Sequence, residues 1–225
     1  MTPTFREPYR KKMQETCPVR VFFGFDEIDE LQRFMKSGEP FVYMDHAYFM
    51  RGYGPDCNFR VLYKQLHRTN VLDLPSDRMK QFGAKFYDWK EGRQHVVFIP
   101  AAKNMEKVYG LWNDKAVESL VSATQRAIKI KAKTDGQLKD FLHRSWGLVS
   151  HSSVAAVEAA CLGFPVWGGK ESPAFAVSNP DITDIENPVR PDRAQWVNTL
   201  TYSQFSIKEI EKGTAWQIIR ETERL

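Results

Sequence analysis

Three serines and one glutamate carry the densest chemical signal in the chain. Ser150, Ser152 and Ser153 close a short apolar run (146–149, WGLV), and an alanine-rich segment with Glu158 as its single acid follows at once. That segment stops at Gly163 and Pro165, where a second apolar run begins. The order reads as strand, tight turn, helix, turn, strand. The first N–H groups of a helix lack intrahelical acceptors and sit at the positive end of its dipole, so such a turn favours an anion. Glu158 follows about a turn and a half later, close enough for its carboxylate to accept hydrogen bonds from sugar hydroxyls. A diphosphate with a ribose attached would suit this arrangement. The same residues also describe an ordinary βαβ unit with serine caps and a solvated glutamate, and spacing alone leaves both readings open.

The string HSSVAAVEAACLGFPV (151–166) resembles the donor-nucleotide motif of GT-B-type glycosyltransferases and of their UDP-N-acetylglucosamine 2-epimerase relatives. That motif runs from small polar residues through a helix with Glu-Ala to Leu-Gly-x-Pro-Val, and the spacing matches without a gap. The resemblance implies that Ser152 and Ser153 hold the nucleotide diphosphate and that Glu158 holds the ribose hydroxyls. The continuation GGKESPAFAVSNPDITDIENP is similar, more loosely, to the Pro-Phe segment of capsule-type Kdo transferases. Relatives often carry glycine where this chain has Ser153 and Val154, a departure by which the phosphate would approach less closely or from the hydroxyl side. The match, looser part included, is confined to residues 151–188, a minor part of the chain.

Glycosyl transfer needs a group that neutralises the leaving diphosphate and, for inversion, a base for the acceptor proton. GT-B enzymes achieve the first without a metal and with no cofactor beyond the nucleotide-sugar donor, commonly a UDP-sugar. Lys131 is the basic side chain chosen for that role among Lys129, Lys131 and Lys133, because it stands near a strand end; a surface lysine is the other reading. His151 opens the motif and is placed to touch the pyrophosphate or the donor sugar, or else is a packed residue. Asp45 directly follows a buried apolar run and is the candidate base, with His46 beside it as the substitute. A strand-end aspartate that caps the next turn explains Asp45 equally well. The aromatics Tyr43, Tyr48, Phe49 and Tyr53 would stack on a sugar or base, although core packing ranks first for them.

Positioning these residues requires strands whose ends face one way. Residues 19–25 read as a buried strand, DEIDELQRFMKSG as an amphipathic helix, PFVYMDH as a strand, RVLYKQL as a third strand and SDRMKQFG as a short helix. From HVVFIPA onward strands alternate with helices through 114–124, RAIKIKA, DGQLKDFLHRS, WGLVS, the motif helix and FPVWGG. This alternation implies a parallel, doubly wound sheet, with ligands at the carboxyl ends of its strands. Residues 100–102, 131–134 and 150–153 all follow strand ends. The tail after Pro188 reads as two helices. The expected fold is therefore α/β, and the resemblance makes it two Rossmann-like halves with the donor cleft between them. An acceptor-side half is expected at 1–93, and a nucleotide-sugar half at 94–204. Residues 205–225 would cross back to the first half, as the terminal helix of GT-B enzymes does.

Composition sets the outer limits. The chain has 225 residues, 42% hydrophobic and 27% charged, and a mean hydropathy of −0.48, which describes one or two compact domains. No apolar run reaches membrane-span length and residues 1–16 are too polar for a secretory signal, so a cytoplasmic protein is expected. Cys17, Cys57 and Cys161 are odd in number and scattered, which fits reduced thiols. No histidine pairs at ligand spacing, so no metal is expected. The net charge is +4 and the pI about 8.9, with basic clusters at Arg6, Arg10, Lys11 and Lys12 and at Lys129 to Lys133.

This modest basic balance accords with a phosphate-rich partner, nucleic acid included, but is common in proteins that touch neither, and solvated surface charge is the first reading for any one of these lysines. Small GT-B enzymes are typical of bacteriophages, where many glucosylate hydroxymethylated pyrimidines. The resemblance thus implies double-stranded DNA bearing hydroxymethylated bases as an acceptor, in a host cytoplasm, with a surface glycan as the alternative. Two other classes stand beside a transferase. One is a 2-epimerase-like isomerase, for which Asp181, Asp184 and Glu186 would be the acids. The other is a non-catalytic nucleotide-binding module.

Overall fold

A computed structural model of the chain describes residues 3–51, 57–92 and 94–225. In chain order the elements are α1 (Pro3–Thr16), β1 (Arg20–Phe23), α2 (Ile28–Ser37), β2 (Phe41–His46), β3 (Asn58–Tyr63) and α3 (Asp77–Gln81). Next come β4 (His95–Ile99), α4 (Lys103–Tyr109), α5 (Asn113–Ala123), β5 (Ala127–Ile130), α6 (Leu138–Leu142), β6 (Ser145–Ser150), α7 (Ala155–Cys161) and β7 (Val166–Gly168). The tail carries α8 (Ala194–Thr201), β8 (Gln204–Ser206), α9 (Ile207–Glu211) and α10 (Thr214–Glu223). The fold is mixed α/β and built as two compact units. One comprises Met1–Arg68, Leu72–Ala84 and Val197–Leu225, the other Thr69–Val71 and Lys85–Trp196.

The first unit holds a mixed sheet in the order β1-β2-β3-β8. β1 and β2 are parallel, joined through α2, whereas β3 runs antiparallel to both β2 and β8. No helix among the described residues lies between β2 and β3, and a connection without a crossover returns the chain antiparallel. Alternate residues point to opposite faces. Val21, Phe23, Val42, Met44, Phe59, Val61 and Phe205 share one core cluster with Met13 of α1, Ile210 of α9 and Ile219 of α10. On the other face Phe22 and Phe41 pack edge-on against Phe34 of α2. The tail reading of two helices is corrected here. A strand, β8, intervenes, and the second helix divides at Gly213, whose φ of +76° ends α9 and opens α10. Ser206 begins α9 with a full capping box to Glu209.

The second unit holds an all-parallel sheet in the order β5-β4-β6-β7. Val96, Phe98, Val149 and Trp167 bury one face against Ala116 and Leu120 of α5. Val97, Leu148 and Val166, on the alternate positions, are fully buried as well, so both faces are covered. The helix expected at 114–124 is α5, and a further helix, α4, precedes it. α7 ends where Gly163 takes a φ of +88° with its Cα pressed on the Asp88 carbonyl; a Cβ there would lie 2.1 Å from that oxygen. No described helix is long and apolar enough to cross a membrane.

Candidate functional site

Strand order creates the site. From β4 the chain moves to β5 on one side and then to β6 on the other, so neighbouring β4 and β6 send their following loops in opposite directions. A crevice opens at such a point, at the carboxyl ends of the strands. The loop 100–102 leaves β4 and residues 151–153 leave β6 there, with Ile99 opposite Ser150 in the register. The loop after β4 is clamped by Asn113, whose Oδ1 accepts from the Ala101 N–H (2.7 Å) and whose Nδ2 donates to the Ala101 carbonyl (3.2 Å).

Around His151 the structure assembles a dense polar and aromatic group. The imidazole is buried, with Nδ1 3.0 Å from Ser152 Oγ and Nε2 3.6 Å from Glu171 Oε2. Tyr109 and Trp112 lie against it with centroid separations of 5.6 and 5.4 Å. Burial pushes the His151 pKa down, and the charges of Glu171 and Glu106 pull only partly the other way. Glu171 comes in on the turn after β7, where the Gly169 N–H donates to the His151 carbonyl at 3.1 Å. Glu106 Oε1 in turn accepts from the Trp112 and Asn113 N–H groups, at 3.4 and 3.3 Å.

Ser152 and Ser153 differ in what they offer. Ser152 is buried beside His151. The Ser153 N–H donates to Ser150 Oγ (3.2 Å), and Ser153 Oγ accepts from the Ala155 N–H (3.2 Å). Ser153 therefore braces the turn that leads into α7, one residue before the Val154 cap position. Its main-chain N–H is already engaged, and its hydroxyl proton is what remains for a ligand. Glu158 stands exposed on α7. Lys131 is not brought to His151. It is buried, and its Nζ turns back to the Ala132 carbonyl (3.0 Å) over the Phe141 ring (5.4 Å).

Asp45 and His46 belong to the first unit and lie at the end of β2. Asp45 faces Arg60 across the β2–β3 register, and Arg60 Nη2 donates to its Oδ2 at 2.7 Å. Tyr43 Oη donates to the same oxygen (3.0 Å), while the His46 N–H donates to Oδ1 (2.8 Å). Arg60 is only 5% exposed and also donates to the His46 and Leu66 carbonyls. Burial raises the Asp45 pKa, but Arg60 and the donated hydrogen bonds outweigh it and hold the carboxyl below the ordinary aspartate range. Such a carboxylate is a weak base. Tyr43 and Tyr48 are buried, and Tyr48 Oη accepts the Arg68 N–H. Tyr53 lies outside the described residues.

Glu171, Glu106, Tyr109 and Trp112 escaped sequence reasoning. Their only local signal is position, each following the end of β4 or β7. Elsewhere in this unit, clefts of about 560 and 540 Å³ lie beside Trp146 and Arg126, at the amino ends of the strands. Arg126 there is held by Glu186 (2.8 Å) and stacks on Trp146 at 3.9 Å. Among the described residues no group of His, Cys, Asp and Glu is placed to hold a metal. The three cysteines are buried free thiols, and burial pushes Cys161 up to about 12. No protein-family model and no curated protein matches the chain.

Proposed function

We propose that this chain is a GT-B-type glycosyltransferase that draws on a nucleotide-sugar donor, a UDP-sugar by the motif, and needs no metal. The second unit, with its parallel sheet, would be the nucleotide-sugar half, and the first unit, with its mixed sheet, the acceptor half. The single observation that carries the reading is the switch point between β4 and β6, with His151, Ser152 and Ser153 at its lip. In this reading the diphosphate meets Ser152, the Ser153 hydroxyl and His151, and the ribose meets Glu158. The aromatic pair Tyr109 and Trp112 offers apolar faces beside the same histidine for a sugar ring.

For the acceptor proton we assign His46 ahead of Asp45. A general base works best with a pKa near the working pH, and the ion pair with Arg60 moves Asp45 away from it. The net charge of +4 supports a polyanionic acceptor, which places hydroxymethylated DNA ahead of a surface glycan. Lys131 would act only after leaving the Ala132 carbonyl, and its role is secondary.

The ribose placement is tested by titrating UDP into the protein and its Glu158→Ala variant. Charge-assisted bonds contribute about 1.5–3 kcal/mol each, so affinity is expected to fall at least about tenfold with the melting temperature unchanged. Equal affinity for both proteins would move the ribose elsewhere.

A further inference from the structure

We propose that a phosphate ligand at this site binds together with one proton taken up by His151, and that Glu171 is the positioning residue that holds the resulting imidazolium. This rests on the reading of the site as the donor-diphosphate site. It does not rest on the end of the short helix α7 but on the buried His151 and Ser152 and the half-buried Glu171 and Glu106 around them.

The argument runs through the proton between His151 and Ser152. In neutral imidazole one ring nitrogen donates and the other accepts. The Glu171 carboxylate, 3.6 Å from Nε2, favours the tautomer with the proton on Nε2. Nδ1 is then the acceptor, and the Ser152 hydroxyl, 3.0 Å away, spends its proton on it. A serine in that state presents only lone pairs, which repel a phosphate. When a solvent or buffer acid gives a proton to Nδ1, the hydrogen bond reverses. Nδ1–H now donates to Ser152 Oγ, and the hydroxyl proton is free to donate to a phosphate oxygen. No bond other than N–H is made and no electrons change hands. The same event places a positive charge beside the ligand.

Surrounding groups decide whether that charge is tolerated. Facing the ring are Ser152 from its own turn, Glu171 from the turn after β7, Glu106 and Tyr109 from α4, and Trp112 before α5. Two carboxylates favour the imidazolium, and burial opposes it. The side chain of Glu171 is 19% exposed and its Oε2 lies 3.6 Å from Nε2, near enough to pair with the ring. An anion entering the crevice adds the missing favourable charge. Proton and phosphate thus bind cooperatively, each raising the affinity for the other.

The test is calorimetry with inorganic pyrophosphate on the full chain, between about pH 6 and 8.5, in two buffers of different ionisation heat. The difference in heats counts protons taken up per ligand. The protonation of pyrophosphate itself is common to all variants and drops out of the comparison with His151→Gln. The protein is expected to take up close to one proton more than His151→Gln above the histidine range. Its affinity should fall up to about tenfold per pH unit relative to that variant. Glu171→Gln should shift this pH dependence to lower pH, a change that a merely structural role would not produce. If His151→Gln fails to fold, the imidazole carbon-bound protons followed by NMR replace it, and they should move to imidazolium positions as pyrophosphate is added. Equal proton counts in the protein and His151→Gln, or an imidazole that stays neutral in the complex, overturn the proposal while leaving the diphosphate site standing. Absence of pyrophosphate binding at every pH removes the diphosphate site and this inference together.

Discussion

Asp45→Asn is expected to lower the stability of the first unit by about 3–5 kcal/mol, the range for removing one partner of a buried ion pair. Asparagine keeps the shape, but its one amide oxygen can replace only one carboxylate oxygen, so it accepts from the His46 N–H or from Tyr43 and not from both, and it leaves the Arg60 guanidinium, 5% exposed, without its counter-charge. The sign of the pH dependence follows from the lowered Asp45 pKa. A group depressed in the folded state contributes stability above its unfolded value of about 3.9. That stability is lost as pH falls from there through the folded value. Denaturant unfolding of both proteins at neutral pH and again in acid reads both effects, and the gap between them should close in acid. A variant as stable as the parent, with turnover down by about 10²–10⁴, would instead return the proton-accepting role to Asp45.

Ser153→Asp is expected to abolish donor binding, weakening it by at least about a hundredfold. Two unit charges about 5 Å apart at an effective dielectric of 20 repel by about 3 kcal/mol, and a diphosphate carries more than one. The fold should tolerate the change. Ser153 Oγ accepts the Ala155 N–H at the start of α7, and aspartate fills such a position as well as serine does. Ser153→Ala is the complement. It removes the hydrogen bond to the Ala155 N–H, at a cost of about 1 kcal/mol in stability, but costs the ligand only one hydroxyl. Titration of UDP against both variants, with melting curves beside them, separates the charge from that hydrogen bond. Normal binding by Ser153→Asp would place the anion elsewhere.

The legible parts of the chain are those whose signals are local. Serines at 150–153, Gly163 and Pro165 mark the two ends of α7 between buried strands, and the strand–helix–strand order follows from them. Apolar runs bounded by Gly and polar residues give β1, β2, β4 and β6. The hidden parts depend on partners far along the chain. β8 is a three-residue strand that exists because β3 pairs with it, and its sequence alone continues the neighbouring helices. Residues 3–16 look polar because six of the fourteen are charged, yet Met13 among them, and Cys17 just after them, sit in the core of the first unit. Asp45 shows the same limit at a candidate site. Its emergence at the end of β2 is readable from the apolar run before it, whereas its pairing with Arg60 requires the antiparallel register of β3. Glu171, Tyr109 and Trp112 converge on His151 only once the parallel sheet sets the ends of β4, β6 and β7 side by side.

Transfer itself is the most direct measurement. The protein is incubated with UDP-glucose and other nucleotide sugars, singly, together with hydroxymethylated duplex DNA, plain duplex DNA or a surface glycan. Released nucleoside diphosphate and acceptor mass are then read. The account predicts diphosphate release together with a mass gain of one sugar on a hydroxyl-bearing acceptor, without added metal, and loss of both in Ser153→Asp. Tight binding of a nucleotide sugar with no release and no mass gain on any acceptor would contradict it and leave a binding module in its place.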